Sequence, residues 1–296
     1  MSAPGGGSAV AGRAYALASA SCFATLGVFS TAAYDRGTGE LELLSARIVG
    51  GALVLGAVGA LLGARLPRGR LLAVVFLLGC FQLGTTTGLL VGFNKAPVAL
   101  VVLMFYVYPT LVSLGAAALY GEPFGRRHAL VLALSLVGVA LTVGRPGSAP
   151  LVGILLGLLA AASTTAYFLG SRFVLGRGVE PLGITTLLYS LPGAILVGIA
   201  LVRGFDVPSA GGMGGALGVV LLGTVFPILM VLRAIVLIGA ATTALLSTVE
   251  PFVAVVLAYV VLDERLTSTQ LLGGACIVSA VLLSALPARS PAVAVS

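Results

Sequence analysis

Of 296 residues, 59% are hydrophobic and only 8% are charged, against about 25% charged in an ordinary soluble domain. A water-soluble fold of this length lacks the interior to hide so much apolar surface, so the composition is that of a chain solvated by lipid. The net charge of +7 comes from arginines and one lysine scattered singly between apolar runs. No basic face and no aromatic-basic interleaving exists, which excludes nucleic acid as a partner.

In chain order, residues 1–12 are rich in Pro, Gly and Ser and are expected to form a disordered cytoplasmic N-terminus. They lack the basic region of a cleavable signal peptide, and the apolar run from Ala14 is long enough to remain as a span. Apolar runs between polar breaks then predict spans near 14–34, 43–64, 71–93, 98–120, 127–144, 151–174, 182–202, 214–237, 241–262 and 269–287. Each approaches the roughly 20 residues that a bilayer core requires of a helix. Cys22, Cys80 and Cys276 fall within apolar runs and read as free thiols. The only lysine, Lys95, and the only histidine, His128, provide neither a phosphate-binding loop nor a metal or triad site. Loops of about 3 to 15 residues leave no room for a soluble catalytic domain, so no catalytic residues, metal or cofactor are expected.

The chain repeats itself. Residues 97–143 align with 239–285 at an offset of 142 without a gap, and 10 of the 47 pairs are identical. In an apolar chain the identities weigh less than the matched punctuation. Pro109 falls on Pro251 and Glu122 on Glu264, each a proline inside an apolar run followed 13 residues later by an acidic turn. Such duplication marks membrane transporters. The repeat gives a first unit over 13–146, a second over 147–287 and a cytoplasmic tail over 288–296. Five spans per unit is an odd number, so the second unit is inverted and Glu122 and Glu264 face opposite sides. Placing the N-terminus in the cytoplasm puts ten basic residues inside and five outside, with Arg47 left in a span. The fold class predicted is an all-α polytopic membrane protein: ten transmembrane helices as two inverted five-helix repeats around a central cavity.

The second half reads Ala240-Ala241-Thr242-Thr243-Ala244-Leu245-Leu246, Glu250-Pro251-Phe252, Leu262-Asp263-Glu264-Arg265-Leu266 and Gln270-Leu271-Leu272-Gly273. This strongly resembles the EamA-type permeases of the drug/metabolite transporter superfamily. The first half departs from the pattern, with Gly121-Glu122-Pro123-Phe124 at the turn and His128 in place of the glutamine. The resemblance covers about residues 12–286 and implies a ten-helix carrier of small metabolites with its cavity between inverted halves. In overall form the chain is most similar to the YddG-type amino-acid exporters.

Candidate cavity residues follow from polar groups deep in apolar spans. Glu250 lies about ten residues from either end of its span, roughly 15 Å at 1.5 Å per residue, too deep to reach an interface. Thr243, Ser247 and Glu250 share one helix face; Gln82, Thr85 and Thr86 share a second, and Ser163, Tyr167 and Ser171 a third. Each hydroxyl has an alternative in bonding back to its own helix, and Glu250 has one in a purely structural role. Phe105, Tyr106 and Tyr108 read first as packing, although Tyr108 occupies the repeat position of Glu250. The substrate-binding set expected is Gln82, Thr85, Thr86, Tyr108, Ser163, Tyr167, Ser247 and Glu250, with hinges at Pro109 and Pro251. Pro192 and Pro227 are further kink sites. Gly84, Gly88 and Gly92 read as a close-packing face. Arg47 is expected to anchor toward the outer surface near Glu42, and Arg233 to snorkel, leaving no arginine or lysine at mid-depth.

These features predict a secondary transporter exporting amino acids or similar small polar metabolites across an inner (plasma) membrane. The alternatives are a drug, sugar or nucleotide-sugar carrier of the same fold, and a membrane-embedded transferase using Asp263 and Glu264. The partners expected are a small-molecule substrate and the lipid bilayer, with monomer and homodimer both open.

Overall fold

The computed structural model describes residues 6–96, 98–144, 150–203, 210–261 and 267–285, and every regular element among them is a helix. The helices form ten crossing segments. The first five are Gly6–Ala24 with Leu26–Tyr34, Glu40–Leu61, Arg70–Lys95, Val98–Phe105 with Tyr108–Tyr120, and Arg126–Val143. Spans six and seven are Leu151–Leu175 and Pro181–Leu188 with Ser190–Arg203. Spans eight and nine run from Met213–Val220 through Leu221–Val225 into Phe226–Ser247, which Gly239 divides, and on to Glu250–Val261; span ten is Ser268–Ala285. Eight helical stretches are long and apolar enough to cross a bilayer, the longest being the divided Met213–Ser247. The apolar helices Glu250–Val261 and Ser268–Leu283 complete the set. Helix begins at Gly6, inside the stretch expected to be disordered, and Gly12 packs there against Leu237 and Ile238. The motif residues 262–266, including Asp263 and Glu264, and the tail from residue 286 lie outside the described residues.

Packing follows the repeat. Span three lies along span six, and span eight along span one; exchanging the two halves converts one pair into the other. Spans two and seven, four and nine, and five and ten each pack on their own repeat partner. The glycine face of span three makes its close approach as the sequence suggests. A Cβ on Gly84 would lie 2.8 Å from the Ser163 hydroxyl, and one on Gly88 would lie 2.8 Å from the Leu156 carbonyl.

The prolines set where helices break. A proline lacks the N–H that its helix needs, and its ring collides with the carbonyl four residues back. Span four accordingly stops at Phe105 and restarts at Tyr108, with Pro109 in the first turn of the new segment. Span nine stops at Ser247 and restarts at Glu250 ahead of Pro251. The two breaks coincide at the repeat offset. Pro192 follows a break at Tyr189 in span seven. Pro227 follows a single π-helical turn, Leu221–Val225, in span eight. Span one breaks at Thr25 without a proline, the Thr25 hydroxyl donating to the Cys22 carbonyl at 2.7 Å.

Candidate functional site

The paired breaks of spans four and nine face a cavity of about 120 Å³ between the two halves. Its polar lining is Arg47, Gln82, Thr85, Thr86, Tyr108, Thr164, Tyr167, Ser247 and Glu250; its apolar walls include Phe23, Phe105, Phe168, Ile228 and Val231. Seven of the eight substrate-binding residues expected from sequence are thus brought together. The eighth, Ser163, lies against Gly84 at the contact of spans three and six, outside the lining. Thr243, on the Glu250 stripe, is fully buried and donates to the Gly239 carbonyl at 2.6 Å.

The hydroxyls divide their bonding. Thr86 donates to the Gln82 carbonyl at 3.0 Å and Ser247 to the Thr243 carbonyl at 3.0 Å. Each spends its proton on its own helix; the Thr86 oxygen keeps lone pairs for a ligand, while the Ser247 oxygen also meets the Tyr108 hydroxyl. Thr85 and Thr164 hydroxyls meet across spans three and six at 2.9 Å. Glu250 is the only acidic residue of the lining, and the Tyr106 hydroxyl is its hydrogen-bonding neighbour. The aromatic group is both packing and wall. Tyr108 stacks on Phe105 with centroids 4.9 Å apart and on Phe168 at 5.8 Å, while Phe105 and Tyr108 both line the cavity.

Arg47 corrects the sequence reading. Its guanidinium does not extend toward Glu42 but turns inward to the cavity, where Nε donates to the Thr224 hydroxyl at 3.2 Å and Nη2 to the Gly223 carbonyl at 3.5 Å. The physical cause lies in span eight. Pro227 leaves the Gly223 carbonyl, four residues earlier, without its helical donor. The chain then widens into the π-turn at Leu221–Val225. The Gly223 carbonyl and the Thr224 hydroxyl at mid-span together hold the guanidinium at the cavity. Tyr189, at the break of span seven, also stands beside Arg47 and Gln82. The sequence signal was available in the pairing of Pro227 with Gly223 across one helical turn, but only the structure shows which helix faces it.

Beyond the cavity, the halves are clasped at the end bearing Arg126, Arg127, Arg172 and Arg177. The Glu122 carboxylate accepts from the Ala240 N–H at 3.1 Å, the Ala241 N–H at 3.0 Å and Arg172 Nε at 3.1 Å. Gly239, at φ +80°, turns the chain so that these two N–H groups start span nine facing the carboxylate. A Cβ on Gly239 would sit 2.7 Å from both Glu122 oxygens. The acidic turn found in the sequence is therefore the N-terminal cap of a helix in the other half.

The chain matches the model of the EamA-like transporter family twice, over residues 10–144 and 151–286. The chain belongs to the EamA-like transporter family. No curated protein sequence matches it. Among solved structures, one crystal structure superposes with a TM-score of 0.77 at 18% identity, covering 93% of this chain and 96% of the other. At that identity the likeness is one of fold alone. Membership makes the chain a multi-pass membrane transporter, and the family's two-unit match coincides with the repeat that surrounds the cavity.

Proposed function

We propose that this EamA-like protein is a secondary transporter that exports amino acids or similar small polar metabolites by alternating access, as YddG-type exporters do. The observation that carries the reading is the cavity itself. A single carboxyl group, a side-chain amide, several hydroxyl oxygens and aromatic walls converge at mid-membrane between the inverted halves. That set suits a zwitterion with an apolar or modestly polar side chain. Its volume of about 120 Å³ is small beside the roughly 300–1,000 Å³ of drug-sized sites, which argues against the drug and nucleotide-sugar alternatives. The inner membrane, with both termini in the cytoplasm, is the location that the arginine distribution supports.

Counterflow tests the reading. Protein reconstituted in liposomes loaded with unlabelled leucine should accumulate external labelled leucine above protein-free vesicles, and everted membrane vesicles should load it. A panel of amino acids that all fail to exchange, with a sugar or an organic cation exchanging instead, overturns the amino-acid assignment.

A further inference from the structure

Two opposite charges face one cavity here without pairing. Arg47 and Glu250 both belong to the lining and influence each other electrostatically, yet among the described residues the ion pair between the halves is Arg172 with Glu122, not Arg47 with Glu250. Charged side chains within a membrane face the protein interior or a cavity and pair with one another, with backbone carbonyls or with a ligand. Arg47 is also held in place. The Thr224 hydroxyl binds its Nε, the Gly223 carbonyl freed by Pro227 binds one terminal nitrogen, and Thr224 is itself fixed by donating to the Val219 carbonyl at 3.0 Å. Thr224 is fully buried. A guanidinium has five N–H donors, and these two contacts leave others to face the cavity. A planar fork fixed along one edge by protein, with its remaining edge toward a cavity, is the arrangement that binds a carboxylate in two parallel hydrogen bonds.

We infer that Arg47, presented by the π-turn of span eight, is the carboxylate-binding residue of the cavity, opposite Glu250 as the ammonium-binding residue. The inference rests on the transporter reading above and narrows its substrate class to molecules carrying both groups. Spans two and eight supply the anion side and span nine the cation side. Arg47 itself comes from the first repeat and Glu250 from the second, so a zwitterion held by both side chains bridges the two repeats. Apolar walls from Phe23, Phe105, Phe168, Ile228 and Val231 accommodate an aliphatic side chain, so leucine and two of its truncations serve as probes.

The experiment is binding of leucine, leucinamide and isovalerate to purified full-length protein, followed by leucine counterflow. Leucinamide lacks the carboxylate and isovalerate lacks the ammonium. The wild-type protein should prefer leucine to leucinamide at least tenfold. Arg47→Gln should abolish that preference by weakening leucine at least tenfold while leaving leucinamide within about twofold. Thr224→Val, which keeps the arginine but removes its Nε acceptor, should reduce the preference severalfold, and Arg47→Lys should restore it in part. Unfolding midpoints of all variants report whether they are folded, and Thr224→Val and Arg47→Lys keep the charge should Arg47→Gln misfold. An Arg47→Gln protein that still prefers leucine over leucinamide as the wild type does overturns the inference and leaves the transporter reading standing. Arg47-dependent binding of isovalerate with no binding of any amino acid supports the anion site and overturns the amino-acid reading. Wild-type protein that binds none of the three probes overturns both.

Discussion

Glu250 is a carboxylic acid held at the centre of an apolar span. Depth in the span marks a carboxyl group with no interface within reach, and the structure places it in the lining beside the Tyr106 hydroxyl. Glu250→Gln keeps the shape and hydrogen bonding and removes the charge. Substrate affinity should fall by about 1–3 kcal/mol, the scale of a hydrogen bond to a charged group, with the fold intact by thermal unfolding. Normal affinity combined with loss of pH dependence, counterflow persisting, would assign Glu250 a coupled proton instead. Normal affinity with normal pH response would leave it a structural residue. The hydroxyl and amide positions were legible because polar residues three or four apart on an apolar helix share a face. Ser163 shows the limit of that rule, since it shares a face with Tyr167 but its own side chain meets Gly84 rather than open space. Arg47 departs from its expected anchor for a different reason. A side chain of that length reaches several destinations from one backbone position, and the acceptors that decide among them lie 176 and 177 residues away in the chain.

Among elements, the breaks of spans four and nine and the Gly239 clasp are the features that can move. Pro109→Ala and Pro251→Ala each restore an N–H and remove a ring clash, allowing the helix to run through its break. Turnover in counterflow should drop several-fold while the leucine dissociation constant changes less than twofold; unchanged turnover in both variants would reduce the prolines to packing features. The clasp makes a separate prediction. Gly239→Ala places an L-residue at φ +80°, ψ 169°, a region essentially confined to glycine, and drives a methyl group into the Glu122 carboxylate, a backbone cost alone of about 1–3 kcal/mol. Glu122→Gln removes a charge that meets Arg172 and two helix-start N–H groups, worth about 1–3 kcal/mol at the level of a single charged hydrogen bond. Both variants should unfold at lower temperature than wild type, and Arg172→Gln should cost less in the Glu122→Gln background than in the wild type because the two share one interaction. Additive shifts would show that the clasp is not a unit. The proline breaks were legible since the residue type itself breaks a helix. The clasp was not: the repeat displays Glu122 as one of two matched acidic turns, but a cap formed 118 residues downstream leaves no local pattern.

On the scale of the whole molecule, the inverted architecture is the most legible property and the one on which every functional statement depends. Matched punctuation at a constant offset survives where identity has decayed, because proline breaks and acidic turns are fixed by backbone geometry while lipid-facing residues need only be apolar. The structure adds what periodicity omits, namely that spans three and six, and one and eight, are the exchanged pairs. Inversion carries a direct test. Phe124 is exposed at the turn after span four, and Ser268 is exposed at the start of span ten, one residue from the repeat position of that turn's end. In a background with Cys22, Cys80 and Cys276 replaced by alanine, Phe124→Cys and Ser268→Cys should react with a membrane-impermeant maleimide from opposite sides. In sealed right-side-out vesicles Ser268→Cys should label and Phe124→Cys should not, and everted vesicles should reverse the result, since the arginine-rich end carries Phe124 and belongs in the cytoplasm. Reversal of both signals would keep the inverted repeat and turn the molecule over in the membrane. Labelling of both from one side would remove the inversion, and with it the shared cavity of Arg47 and Glu250 as a site reached alternately from each side.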